Sequence, residues 1–160
     1  MRLSLLPALA ISLVSTVFAG DQAPPALTDA RKAHLKGDQL QVVTSLRGLP
    51  LGVRDALGGL IGGQYTDFAD PEAPFRTGAE MNPSLPMRRL VTAGCSNDHH
   101  CLVYYEKGGA TRTFHVAVFQ WRPESTRLEF GGSAPGGLKT VEAVRNAIVA
   151  GTIKAAGNSW

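Results

Sequence analysis

The chain is poor in several things at once, and each shortage removes a class of function. It has two cysteines, Cys95 and Cys101, so a thiolate-rich metal centre or a multi-bridge disulfide framework is excluded. It has no block of five or six like charges, and its basic residues are scattered, so charge does not support nucleic-acid or anionic-lipid binding. Beyond the first 19 residues no apolar run reaches bilayer length, because the helix-like stretches are broken by Arg, Glu or Gly. There is no internal repeat and no low-complexity tract.

Familiar catalytic motifs are missing too. No serine sits in a G-x-S-x-G elbow. Gly131, Gly132, Gly136 and Gly137 lack the Lys-Ser/Thr that completes a phosphate-binding loop, and Pro135 interrupts them, so GGSAPGG reads as a flexible link. No paired carboxylates of defined separation can be picked out, which leaves a glycosidase reading without support. No cofactor is implied.

What is present begins with MRLSLLPALAISLVSTVFAG, which reads as a secretory signal peptide over residues 1–19. Arg2 is its basic residue, Leu3 to Phe18 its apolar stretch, and Val17 and Ala19 its cleavage signal, with the cut expected before Gly20. An uncleaved anchor is disfavoured by Pro7 and three serines, and no cysteine follows the cut for lipid attachment. The leader takes one of 16 basic residues and none of the 13 acidic ones, leaving a net charge of +2 on a periplasmic or secreted protein. Residues 20–160 are the size of one globular domain.

Short helices are expected in the N-terminal third. Thr28 and Asp29 can cap one with Ala30 and Ala33 inward and Gly37 as its stop; Asp38 can cap a second carrying Leu40, Val43 and Leu46; Pro50 can start a third with Val53 and Leu57. Residues 62–86 form a long Pro-rich loop, in which FADPEAPF reads as a turn pinned by Phe68 and Phe75, with Asp70 as a candidate binding residue. The strand before Cys95, then CLVYYEK, ATRTFHVAVFQW and RLEFGG, form a four-stranded antiparallel meander. TVEAVRNAIVAG forms a C-terminal helix capped by Thr140 that packs on the sheet, and residues 152–160 are a flexible tail unless Ile153 or Trp160 docks. The fold class is therefore α+β.

Two chemical questions follow. In CSNDHHC the export signal favours a Cys95–Cys101 disulfide across a hairpin mouth. Its tip, Asp98, His99 and His100, has imidazoles that could ligate zinc or copper, but adjacent histidines tend to diverge in extended chain, so no dedicated metal site is assigned. If Gly108 and Gly109 make a two-residue turn, Lys107 faces Ala110 and Val103 faces Phe114. That register gathers Tyr104, His115, Phe119 and Trp121 on one face, either covered by the N-terminal helices or open as a binding platform. His115, with Tyr104 or Glu106 as neighbour, is then the candidate general base of a small periplasmic hydrolase.

The run from RRLVTAG through YYEKGG to FHVAVF, with the leader, resembles small exported proteobacterial proteins of unknown function. The resemblance implies a Gram-negative periplasm and transfers no catalytic residue. Three readings stand at this point: a non-enzymatic binding or inhibitor-like module for a periplasmic protein or cell-envelope ligand, a hydrolase based on His115, and a metal-binding hairpin tip.

Overall fold

The computed structural model describes residues 26–63, 67–78, 82–155 and Trp160. The leader and the expected cut before Gly20 lie outside them. Helix α1 spans Asp29–Gly37, with Thr28 Oγ1 accepting from the Arg31 amide at 3.3 Å, as its sequence position predicts. Its buried residue is Leu35, whereas Ala30 and Ala33 face outward, because one bulky apolar side chain gains more from burial than two methyls. The expected second helix is instead strand β1, Gln41–Val43, followed by a 3-10 turn at Leu46–Gly48. Val42 and Val43 are β-branched and give an edge pairing more than a helix turn could offer them. Helix α2, Leu51–Leu60, starts after Pro50 and buries Val53 and Leu57 completely.

The sheet is larger than the expected meander. Among the described residues it has seven strands, β2 at Phe68–Ala69, β3 at Arg88–Cys95, β4 at His100–Lys107, β5 at Thr113–Arg122, β6 at Ser125–Ala134 and β7 at Lys154–Ala155 completing the set with β1. The four expected strands are its antiparallel centre, β3-β4-β5-β6. The additions are short edge pieces: β1 pairs antiparallel with Ala93–Cys95, β2 parallel with Arg88–Arg89, and β7 antiparallel with Gly132–Ser133. Strands of two or three residues carry too little alternation to be seen in a sequence.

Two helix layers enclose this sheet. On one face α2 packs against Leu90, Ala93, Cys101, Val103, Tyr105, Ala117 and Phe119. On the other, α1 and helix α3, Val141–Val149, cover Leu102, Tyr104, Val116, Val118 and Phe130. Helix α3 follows its expected pattern: Thr140 Oγ1 accepts from the Ala143 amide at 3.1 Å, Val141, Val144 and Ile148 are buried, and Gly151 ends it at φ +72°. Ile153 and Trp160 are both docked. Ile153 is buried, and the Trp160 ring lies over Gly131, where a Cβ would come within 2.1 Å of it. Gly131 and Gly132 are thus strand glycines at close approaches, not a flexible link.

The hairpin register corrects the expected one. Lys107 pairs with Thr113 and Val103 with Ala117, so the β4–β5 loop has five residues instead of two. Gly108 is occupied otherwise: its N–H donates to Met87 O at 2.8 Å, and its α-carbon lies against the carbonyl of Arg76. The displacement is an odd number of residues, so every β5 side chain changes face relative to the expectation. In β3 a bulge between Leu90 and Thr92 has the same local effect, turning Leu90 instead of Val91 toward the α2 core.

Cys95 and Cys101 are directly paired across β3 and β4, with their sulfurs at disulfide distance, 2.09 Å. Reduction should lower stability by about 2.4 kcal/mol on the loop-closure expression for so short a ring. A lower urea midpoint in reductant, with an unchanged slope, is the expected result; an unchanged midpoint would show that the bridge constrains nothing. Among the described residues no helix is long and apolar enough to cross a membrane.

Candidate functional site

The residues singled out in the sequence do not form one constellation. Because β5 is turned over, His115 lies on the α2 face together with Phe119 and Trp121, while Tyr104 lies on the α1/α3 face. Tyr104 stacks on Phe114 with centroids 5.8 Å apart and donates its hydroxyl to Pro135 O at 2.7 Å; burial pushes its pKa up to about 12. Glu106 is buried and paired with Arg89 at 2.6 Å and Arg112 at 3.5 Å, an anchor between β3, β4 and the loop. Asp70 accepts from the Leu46 amide at 2.7 Å and so holds the 3-10 turn to the segment after β2. Phe119 is fully buried.

His115 has only 2% of its surface exposed. Its ring stacks on Tyr105 with centroids 5.2 Å apart, and Nε2 lies 2.9 Å from Thr113 Oγ1. Burial first, then the charges of Lys107 and Arg88, pull its pKa down to about 4. It is a neutral interior histidine at physiological pH. A general base needs reach to a substrate proton, and this ring has almost no surface from which to offer it.

The hairpin tip also separates. His99, at φ +65°, turns toward the α2 side and sets its ring edge-on to Trp121 at 5.1 Å. Asp98 is exposed. His100 opens β4 and turns the opposite way, under α1, as alternation along a strand requires.

There it meets a group the sequence reading passed over. His34 and Asp38 are four residues apart at the end of α1, a spacing that puts both on one helix face. Asp38 Oδ2 lies 2.9 Å from His100 Nδ1, and Asp38 Oδ1 lies 3.7 Å from His34 Nδ1. The two imidazoles meet edge to face with centroids 4.9 Å apart. Asp38 is buried, and its position is fixed from two sides: Arg145 donates to its backbone oxygen, and Ser96 Oγ lies 3.5 Å from Oδ2.

A fourth side chain completes the cluster through a second bulge. Val118 pairs with Phe130 but Phe119 with Leu128, so Glu129 is the extra residue in β6. Leu128 packs into the α2 core and Phe130 into the α1/α3 core, which leaves Glu129 aimed under α1. Its Oε2 is 3.6 Å from His100 Nε2, and its Oε1 takes Arg31 at 2.8 Å and Arg127 at 3.4 Å. These groups border a cleft of about 330 Å³ between α1 and the β4–β6 end of the sheet, with Leu27, Leu35 and Val118 as its apolar wall. A few convergent polar groups over an apolar wall is the usual make-up of a ligand seat. The HLKGD spacing was the available signal, but Asp38 also has the chemistry of a helix cap, and nothing local ties it to His100 or Glu129.

Compared with known proteins, the chain matches no family model, no curated protein and no solved structure.

Proposed function

We propose that this chain is an exported, non-enzymatic binding protein of the periplasm, and that the cleft under α1 is its ligand seat. The single observation that carries the reading is the convergence of His34, Asp38, His100 and Glu129 from three separate elements: His34, His100 and Glu129 line one accessible cleft, and the buried Asp38 lies against both histidines. Export rests on the leader, and the cysteine pair at disulfide distance is compatible with an oxidising compartment. Among the described residues the cleft wall contains no serine, threonine, cysteine or lysine, so it offers no hydroxyl, thiol or amine nucleophile. The hydrolase reading loses its support because His115 is enclosed and Tyr104 stands on the other side of the sheet.

A thermal-shift screen of the leader-free protein against small cell-envelope compounds tests this reading. A bound ligand at a hundred times its Kd adds about 2.7 kcal/mol of stability. Ala30 is exposed at the cleft mouth, so Ala30→Trp should abolish the shift without touching the polar cluster. Turnover of a defined cell-envelope substrate that disappears in His115→Ala would overturn the reading.

A further inference from the structure

Donor type and spacing at the cleft floor make a more specific statement. We propose that His34, Asp38 and His100 bind one divalent transition ion of the Zn2+ type. This rests on the reading of the cleft as a binding seat and names what is bound there.

Two imidazoles and one carboxylate suit borderline ions such as zinc, nickel or copper, whereas calcium and magnesium prefer all-oxygen shells. Donors bonded to one tetrahedral ion at about 2.0 Å stand about 3.3 Å from each other. The carboxylate reaches both rings, one through each oxygen: His100 Nδ1 is 2.9 Å from Asp38 Oδ2 and His34 Nδ1 is 3.7 Å from Asp38 Oδ1. One donor atom from each of the three residues lies within 4.8 Å of the others. Drawing the set together to bonding distance falls to His34, the exposed member, whose side chain is 55% exposed. Asp38 and His100 are already fixed, the latter by its amide donating to Ser96 Oγ at 3.2 Å.

The second observation is the state of His100. Its Nδ1 is buried and makes no hydrogen bond among the described residues, although a carboxylate oxygen is 2.9 Å away. Its Nε2 faces Glu129. A proton on Nε2, directed at Glu129, leaves the Nδ1 lone pair turned toward Asp38 and His34, the side on which a cation would satisfy all three. A carboxylate behind a ligating imidazole is the usual outer partner of a metal-bound histidine. Arg31 and Arg127 occupy the other oxygen of Glu129, which keeps that carboxylate behind the histidine instead of on the ion. Three protein donors leave a coordination position open to the cleft, where water or a ligand atom can bind.

Isothermal titration of Zn2+ into the full leader-free protein, stripped beforehand with chelator, tests the assignment. The expected result is one ion per chain at micromolar Kd or tighter, with no binding of Mg2+ or Ca2+. His34→Ala, a change at an exposed position that leaves the fold intact, should weaken binding about tenfold or more. His99→Ala should leave it unchanged. No saturable binding, binding indifferent to His34→Ala, or binding lost in His99→Ala overturns the site. Ala30→Trp separates this inference from the broader reading: it should block organic ligands and spare the ion. Organic binding without zinc binding sinks the inference alone, and the failure of both sinks the cleft as a seat.

Discussion

Replacing Gly108 by alanine is expected to cost about 3 kcal/mol or more, at the upper end for overpacking, because the clash is with backbone instead of a side chain that can turn away. A Cβ built on Gly108 would lie 1.6 Å from the carbonyl oxygen of Arg76. That carbonyl cannot retreat easily. The Arg76 amide donates to Pro86 O at 2.9 Å, and its guanidinium Nε donates to Leu85 O at 2.6 Å, so the segment is tied at both ends. Gly59, in α2 with no atom of the described residues within 4 Å of its Cβ position, is the internal control. Gly59→Ala should stabilise the protein by about 0.5–1 kcal/mol, since only the backbone entropy of glycine is removed. Urea unfolding of the two variants beside the parent chain checks both signs, and equal midpoints for the two would contradict the packing described for the 76–108 approach.

The second large effect is a pH dependence. His115 has a folded pKa of about 4 against an ordinary value of 6.5, so the unfolded chain takes up its proton first as pH falls. Stability contributed by the neutral ring is therefore complete above pH 6.5 and is lost as pH falls from there toward 4, at about 1.4 kcal/mol per unit. Between pH 6.5 and 5, a window above most carboxylate titration, the loss from this one group is about 1.6 kcal/mol. His115→Gln removes the titration, so subtracting its profile from the parent's isolates the term. A difference that is flat with pH would mean that His115 titrates as in water, and the enclosed-histidine account would then fail.

The parts of this fold that were legible in the sequence are those fixed by local physics. Thr28 and Thr140 cap the helices they were expected to cap, Val53 and Leu57 form an apolar stripe, and Cys95 faces Cys101 because a short polar tip between two β-rich runs leaves few alternatives. The parts that were not legible depend on contacts distant in sequence. Gly108-Gly109 looks like a two-residue turn, but Gly108 lies against the carbonyl of Arg76, the loop runs to Arg112, and the register differs by three, which reverses the facing of β5. The aromatic platform dissolves for the same reason, with Tyr104 on one side of the sheet and His115, Phe119 and Trp121 on the other.

The candidate site shows the same division. His100 stood out because it lies between two cysteines, but its sequence neighbours His99 and Asp98 are not its partners in space. His99 belongs to the turn, at φ +65° with its ring against Trp121, whereas His100 opens β4 and faces α1, and the residues that meet His100 come from the end of α1 and from a bulge in β6. The His34–Asp38 spacing was visible as a helix-face pair. The bulge that aims Glu129 was not, because its extra residue exists only relative to the partner strand.

The most direct test of the cleft as the working part of this protein is anomalous diffraction at the zinc edge from crystals of the zinc-loaded chain. The account predicts one peak at about 2.0–2.2 Å from nitrogen atoms of His34 and His100 and a carboxylate oxygen of Asp38, with Glu129 behind His100 and an open side toward the cleft. A peak at Asp98 and His99, or no peak under α1 at full zinc loading, would contradict it.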